Sequence, residues 1–218
     1  MEDYGEILRY MGHSGDADER LEALISLCLE KLSSVCDLRS VTAQLPCVIN
    51  DCRITIGSME IESGNLAAHL NNCANVFVFA ATLGSGVDRL IAQRVKIDSA
   101  EALCLQSCAA VQIENYCGSI ERELFNQINC DDIRLRPRFS PGYGDFDIKH
   151  QTDLLRILQA QKRIGLSETN AHMLTPLKSV TALIGVSIKT DFQNNADTRY
   201  KCAGCDKPDC LFKERGMQ

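Results

Sequence analysis

The run Val76-Phe77-Val78-Phe79-Ala80-Ala81-Thr82-Leu83, bounded by Asn75 and Gly84, constrains the fold more than any other segment. It is apolar almost without interruption, yet it spans only eight residues. A helix crossing a bilayer takes roughly 20. A strand that does not alternate belongs at the centre of a sheet, covered on both faces. Other segments supply its neighbours. Val41, Ala43 and Leu45 alternate with polar residues, as do Cys52, Ile54 and Ile56 before Gly57, with Met59 and Ile61 after it. Val180, Ala182, Ile184, Val186 and Ile188 recur at every second position. These spacings predict strands in an antiparallel set, with Pro46 and Asn50-Asp51 as turns. A further strand is predicted over 133–139, ending in Pro141-Gly142.

Helical spacing accounts for most of the remainder. Leu21, Leu24, Ile25, Cys28, Leu29 and Leu32 share one stripe, and Asp16 and Glu19 read as a capping box ahead of it. Short helices are predicted over 65–72 and 85–95, and a long one, capped by Asp98 or Ser99, reaches about residue 127. The last two cover one face of the sheet. Thr152 or Asp153 opens another helix that closes near Gly165. The resulting fold class is α+β, an antiparallel sheet flanked by helices over residues 1–192, followed by a polar, cysteine-bearing appendage over 193–218.

The 23 Lys and Arg against 29 Asp and Glu leave a net charge of −6, with no basic run able to track a phosphate backbone. That argues against nucleic acid as a partner. Glu2, Asp3 and Glu6 stand where a secretory signal would need a basic start and an apolar run, so the chain reads as cytoplasmic, without membrane. Its 12 cysteines then read as reduced thiols. Nine are scattered, several at apolar helix positions where cysteine acts as a small hydrophobe. Cys202, Cys205 and Cys210 instead form a C-x2-C-x4-C cluster. Three soft thiolates hold zinc or an iron-sulfur cluster, with a fourth ligand from a distant cysteine or solvent, or they remain free thiols on a tail.

Gly84-Ser85-Gly86 between a strand and a helix invites a dinucleotide-loop reading, but Arg89 occupies the place of the third glycine. A tight strand-to-helix turn accounts for these glycines better. More informative is the stretch Arg136-Pro137-Arg138-Phe139-Ser140-Pro141-Gly142-Tyr143-Gly144. Arginine is a planar fork that holds a carboxylate by two hydrogen bonds, and glycines on both sides of Tyr143 let a ligand approach the backbone. This pattern suits a small zwitterion.

Arg138-Phe139-Ser140-Pro141-Gly142-Tyr143 resembles the Arg-x-x-Pro-Gly-Tyr signature of the reactivation domain of cobalamin-dependent methionine synthase. Met173-Leu174-Thr175-Pro176-Leu177-Lys178-Ser179-Val180-Thr181-Ala182 is similar to that domain's Pro-x-x-Ser-Val-Ser-Gly segment. Ile7-Leu8-Arg9-Tyr10-Met11-Gly12 and Ala81-Thr82-Leu83-Gly84 are similar to segments of stand-alone versions of the domain. The likeness is strongest over 133–188. It implies S-adenosylmethionine as ligand, with Arg138 on its carboxylate, Ser140 and Gly142 giving backbone contacts, and Tyr143 packing against or bonding the ligand. It places Lys178 and Ser179 toward the corrinoid. Two departures from the family pattern stand out: Gly144-Asp145-Phe146-Asp147 after the tyrosine, and Thr181-Ala182 in place of Ser-Gly.

Methyl transfer from a sulfonium needs a strong nucleophile, and the chain shows no triad or paired acid and base to generate one. The resemblance implies that the nucleophile is reduced cobalt. None of His13, His69, His150 or His172 sits in the Asp-x-His-x-x-Gly context of a corrinoid carrier. The cobalamin is therefore expected on a methionine synthase core or another corrinoid protein, with an electron donor such as flavodoxin or ferredoxin. The competing expectation is a metal or redox module that senses S-adenosylmethionine without transferring its methyl group.

Overall fold

The strand read from the apolar run is the spine of the molecule. A computed structural model describes residues 2–13, 15, 17–128 and 132–188. In it β4 (Cys73–Thr82) pairs antiparallel with β1 (Arg39–Asn50) on one side and β8 (Ser179–Ile188) on the other. Beyond β1 lie β2 (Arg53–Ile56) and β3 (Met59–Glu62), and beyond β8 lies β5 (Ile133–Leu135), giving a sheet of order β3-β2-β1-β4-β8-β5. A separate ribbon pairs β6 (Ser167–Glu168) with β7 (Leu174–Thr175).

Both faces are covered, as the unbroken apolar run requires. Phe77, Phe79 and Ala81 of β4 join Ala182 and Ile184 of β8 under α1 (Glu2–Tyr10), α2 (Glu19–Val35), α4 (Ser85–Val95) and α5 (Ser99–Ile128). Val76, Val78 and Ala80 join Val41 and Leu183 under α3 (Gly64–His69), α6 (Gln151–Leu158) and α7 (Ala160–Ile164). The fold is thus α+β, an antiparallel sheet flanked by helices. Cys28, Cys104, Cys108 and Cys117 are fully buried among the helices of the first layer. Burial pushes the Cys117 thiol up to about 12, so it stays protonated and inert.

Several local expectations are corrected. Helix α1 was not anticipated from the sequence, although Tyr4, Ile7, Leu8 and Met11 stand at helical spacing and pack against the first-layer core. The cap of α2 is Asp18, whose side chain accepts from the Leu21 N–H, while Asp16 of the expected capping box lies outside the described residues. Pro46 lies inside β1, opposite Asn75 on the last rung with β4, while pairing with β2 begins at Cys47. At the end of a ladder a missing N–H sacrifices little. The helix expected up to Gly165 is two, broken where Gln159 turns left-handed at φ 51°.

The turn at 84–86 is packed, not open. A Cβ on Gly86 would lie 2.4 Å from the Val35 carbonyl oxygen, backbone that cannot swing aside. Gly86→Ala is therefore expected to lower stability by roughly 1–3 kcal/mol, measured as a fall in urea midpoint without change of slope.

Candidate functional site

The segment after β5 does not continue as a regular strand to residue 139. Leu135 pairs with Val186, the Arg136 N–H donates to the Gly185 carbonyl (2.8 Å), and the Phe139 N–H donates to the Leu183 carbonyl (2.9 Å). Pro137 and Arg138 together therefore stand opposite Ile184 alone, a bulge of one extra residue. In an unbroken strand Arg136 and Arg138 would share a face. The extra residue parts them.

Arg136 is buried against the α3 side, where its Nη2 donates to the Asn71 carbonyl at 3.1 Å. Arg138 turns to α5 instead, its side chain 14% exposed, with Nη2 2.8 Å from Glu114 Oε2 and Nε on Glu121. Burial opposes the charge on Arg138, but the glutamates outweigh it and hold its pKa above the ordinary arginine value. His69 steadies the bulge. Its Nε2 lies 2.8 Å from the Pro137 carbonyl, which can only accept, so Nε2 carries the proton.

The following turn is held from inside and outside. Gly142, at φ 92°, donates to the Phe146 carbonyl at 2.7 Å, and the Tyr143 N–H donates to the Ser140 carbonyl at 3.1 Å. Phe146 is buried and stacks on His150 with ring centroids 5.5 Å apart. Asp145 accepts from the Ser63 hydroxyl, the Gly64 N–H (2.8 Å) and the Asn65 N–H (3.1 Å), tying the turn to the start of α3. The Ser63 hydrogen bond above all holds the Asp145 carboxyl below the usual aspartate range. The departure Gly144-Asp145-Phe146-Asp147 is thus an anchor.

Arg138, Ser140, Tyr143 and Ser179 come together around one cleft of about 280 Å³. Glu114 joins Arg138 there, Gln151 accepts from the Thr181 hydroxyl at 2.9 Å, and His172 bonds Glu168 through Nδ1 at 2.9 Å. Ile148, Met173 and Leu177 add an exposed apolar rim. Four hollows of about 430, 460, 600 and 830 Å³ are larger, but none is lined by the 138–143 turn. Gly142 shapes the turn without lining the cleft. Lys178 points away, its Nζ donating to the Gln106 carbonyl at 3.1 Å, and burial lowers its pKa.

Glu114 and Glu121 were missed in the sequence, although each follows a buried isoleucine of α5, Ile113 and Ile120, by one position. Together Arg138 and Glu114 give the cleft a cation and an anion side by side, the pair that a zwitterion requires. Cys202, Cys205 and Cys210 lie outside the described residues. Among the described residues no group of three or more His, Cys, Asp or Glu is arranged to hold a metal ion. No described helix is long and apolar enough to cross a membrane.

No family model matches the sequence, and no curated protein matches it. Among solved structures, a crystal structure of the MetH reactivation domain bound to AdoHcy aligns with a TM-score of 0.63 at 15% identity, covering 84% of this chain and 73% of that one. At this identity the likeness establishes the fold alone.

The Asp145 anchor is testable by titration. A depressed carboxyl pKa contributes stability that is present at neutral pH and is lost as pH falls through the folded-state value. The gap in urea midpoint between wild type and Asp145→Ala should therefore be open at about pH 6 and close as pH falls toward about 3.

Proposed function

We propose that the chain binds S-adenosylmethionine in the 138–143 cleft and offers its sulfonium methyl to a corrinoid carried by another protein, reactivating a cobalamin-dependent methionine synthase. One observation carries this reading: an Arg-x-x-Pro-Gly-Tyr turn lines a cleft with a paired cation and anion, on a fold shared with a reactivation domain bound to AdoHcy. On this reading the ligand carboxylate takes up Arg138 and the ligand ammonium takes up Glu114, so the existing ion pair is exchanged for two others and no buried charge is left alone. Ser140 and Gly142 meet the ligand through backbone, and Tyr143, 45% exposed, covers it. Lys178 and Ser179 belong to the edge that faces the corrinoid.

The chemistry needs little more from this chain than placement. Reduced cobalt on the partner attacks the methyl carbon, a cobalt–carbon bond forms as the sulfur–carbon bond breaks, and S-adenosylhomocysteine leaves. The electron that prepares the cobalt comes from a donor such as flavodoxin or ferredoxin. Holding methyl and metal face to face is the protein's share of the barrier. On the 193–218 appendage, Cys202, Cys205 and Cys210 carry zinc, an iron-sulfur cluster or three free thiols, the alternatives that the C-x2-C-x4-C spacing leaves open. Elemental analysis and an ultraviolet-visible spectrum of anaerobically purified protein distinguish the two metals from bare thiols.

Calorimetry with S-adenosylhomocysteine should give a complex that Arg138→Ala weakens by roughly 2–3 kcal/mol. Because Arg138 also balances two glutamates, Glu114→Gln serves as the companion variant and should weaken binding while sparing the fold. Mixed with cob(II)alamin-loaded synthase core, reductant and methyl-labelled S-adenosylmethionine, the protein should yield labelled methylcobalamin. Binding without methylcobalamin would mark a sensor, and no binding would overturn the reading.

A further inference from the structure

The cleft wall over residues 173–179 is held near its start, where Leu174 pairs in the β6–β7 ribbon and packs against the core under α3, and Pro176 is buried. Met173 is 57% and Leu177 63% exposed, so their own side chains do not fix the stretch from Leu177 to Ser179. Polar contacts do. The β4–β8 ladder ends at Thr82 opposite Ser179, and just beyond it the Lys178 carbonyl accepts from the Leu83 N–H at 2.9 Å. The Ser179 hydroxyl donates to the Pro176 carbonyl at 2.7 Å. One residue past the last backbone bond, the Leu177 N–H is taken by Asp88 Oδ2 at 2.7 Å, across 89 positions of sequence.

Asp88 stands in the first turn of α4 and does not line the cleft. Its other oxygen, Oδ1, is buried with no hydrogen-bond partner among the described residues. Leaving a carboxylate oxygen bare is costly, and such groups in folded proteins call for an explanation. A neutral acceptor would hold the same N–H without that cost. What the carboxylate adds is a shorter, stronger, charge-assisted bond to a backbone that has no other hold at that position.

We infer that Asp88 is a positioning residue for the cleft, acting through the Leu177 N–H to set where the 173–179 wall stands against a bound ligand. Leu177 and Ser179 both line the cleft, on either side of Lys178. A wall released at Leu177 bows between its two remaining holds, the β7 pairing at Thr175 and the Ser179 end of the ladder, and the cleft widens where the ligand sits. The inference rests on the reading of this cleft as the S-adenosylmethionine site.

Two variants and two readouts test it on the full chain. Asp88→Ala removes the acceptor, and Asp88→Asn keeps an amide oxygen in nearly the same place. In Asp88→Ala the thermal midpoint should stay near wild type. The Leu177 amide should exchange its hydrogen about tenfold faster by NMR, and the S-adenosylhomocysteine Kd should rise about tenfold, as expected for loss of one good hydrogen bond. Asp88→Asn should recover most of both. Asp88→Ala with wild-type exchange and affinity would overturn the inference, as would an Asp88→Asn no better than alanine. Should wild-type protein fail to bind S-adenosylhomocysteine, the ligand reading falls, and amide exchange in the ligand-free chain still decides whether Asp88 holds the wall.

Discussion

A guanidinium taken out of water has to meet anions, and Arg138 meets two. Its side chain is 14% exposed and lies between Glu114 and Glu121, one α5 turn pair apart on the same face of the helix. This ion cluster closes the gap between the edge of the sheet and its longest helix. It exists only because the backbone carries an extra residue at Pro137-Arg138, which turns the second arginine toward α5 while the first stays with α3. Proline suits that place, since it has no N–H to leave unpaired in the bulge.

The same cluster sets the electrostatics of the cleft. A bare arginine beside an apolar rim would attract any small anion. On the proposed reading, one already balanced by carboxylates suits a ligand that brings both a carboxylate for the arginine and a cation for the displaced glutamate. Arg138 is the buried member of the pair and Glu114 is 43% exposed, so on that reading selectivity would arise chiefly from a wrong ligand that leaves Arg138 unpaired. Simple anions meet Glu114 as a competitor, and simple cations meet Arg138. An amino-acid headgroup satisfies both.

The layers were legible where a segment's burial followed its own periodicity. The unbroken run of β4 and the stripe of α2 report local geometry, and β8 and α5 also lie where they were expected, although β8 is buried on both faces and its alternation marks only the side toward α5. The turn residues of the cleft were legible as a motif. What stayed hidden depended on partners distant in sequence. Arg138 and Glu114 are 24 positions apart, Asp145 and Ser63 are 82 apart, and Leu177 and Asp88 are 89 apart. Periodicity carries no record of such pairs. The bulge was equally silent, because one extra residue changes the face of everything after it while leaving the composition of the segment unchanged.

Those three distant pairs have a common form. In each, a stretch of irregular chain is fixed to a helix by a carboxylate: Arg138 to α5 through Glu114 and Glu121, the 140–147 turn to α3 through Asp145, and the link between β7 and β8 to α4 through Asp88. Loops have few apolar side chains to bury, so directional polar bonds must locate them, and bonds to an ionised acceptor are the strongest available. The helices are in turn seated on the two faces of one sheet. The cleft is therefore surveyed from three rigid reference points, and its shape is set by bonds that each join two different elements. Such an arrangement lets irregular backbone, with its exposed N–H and carbonyl groups, stand at a ligand without giving up a defined position.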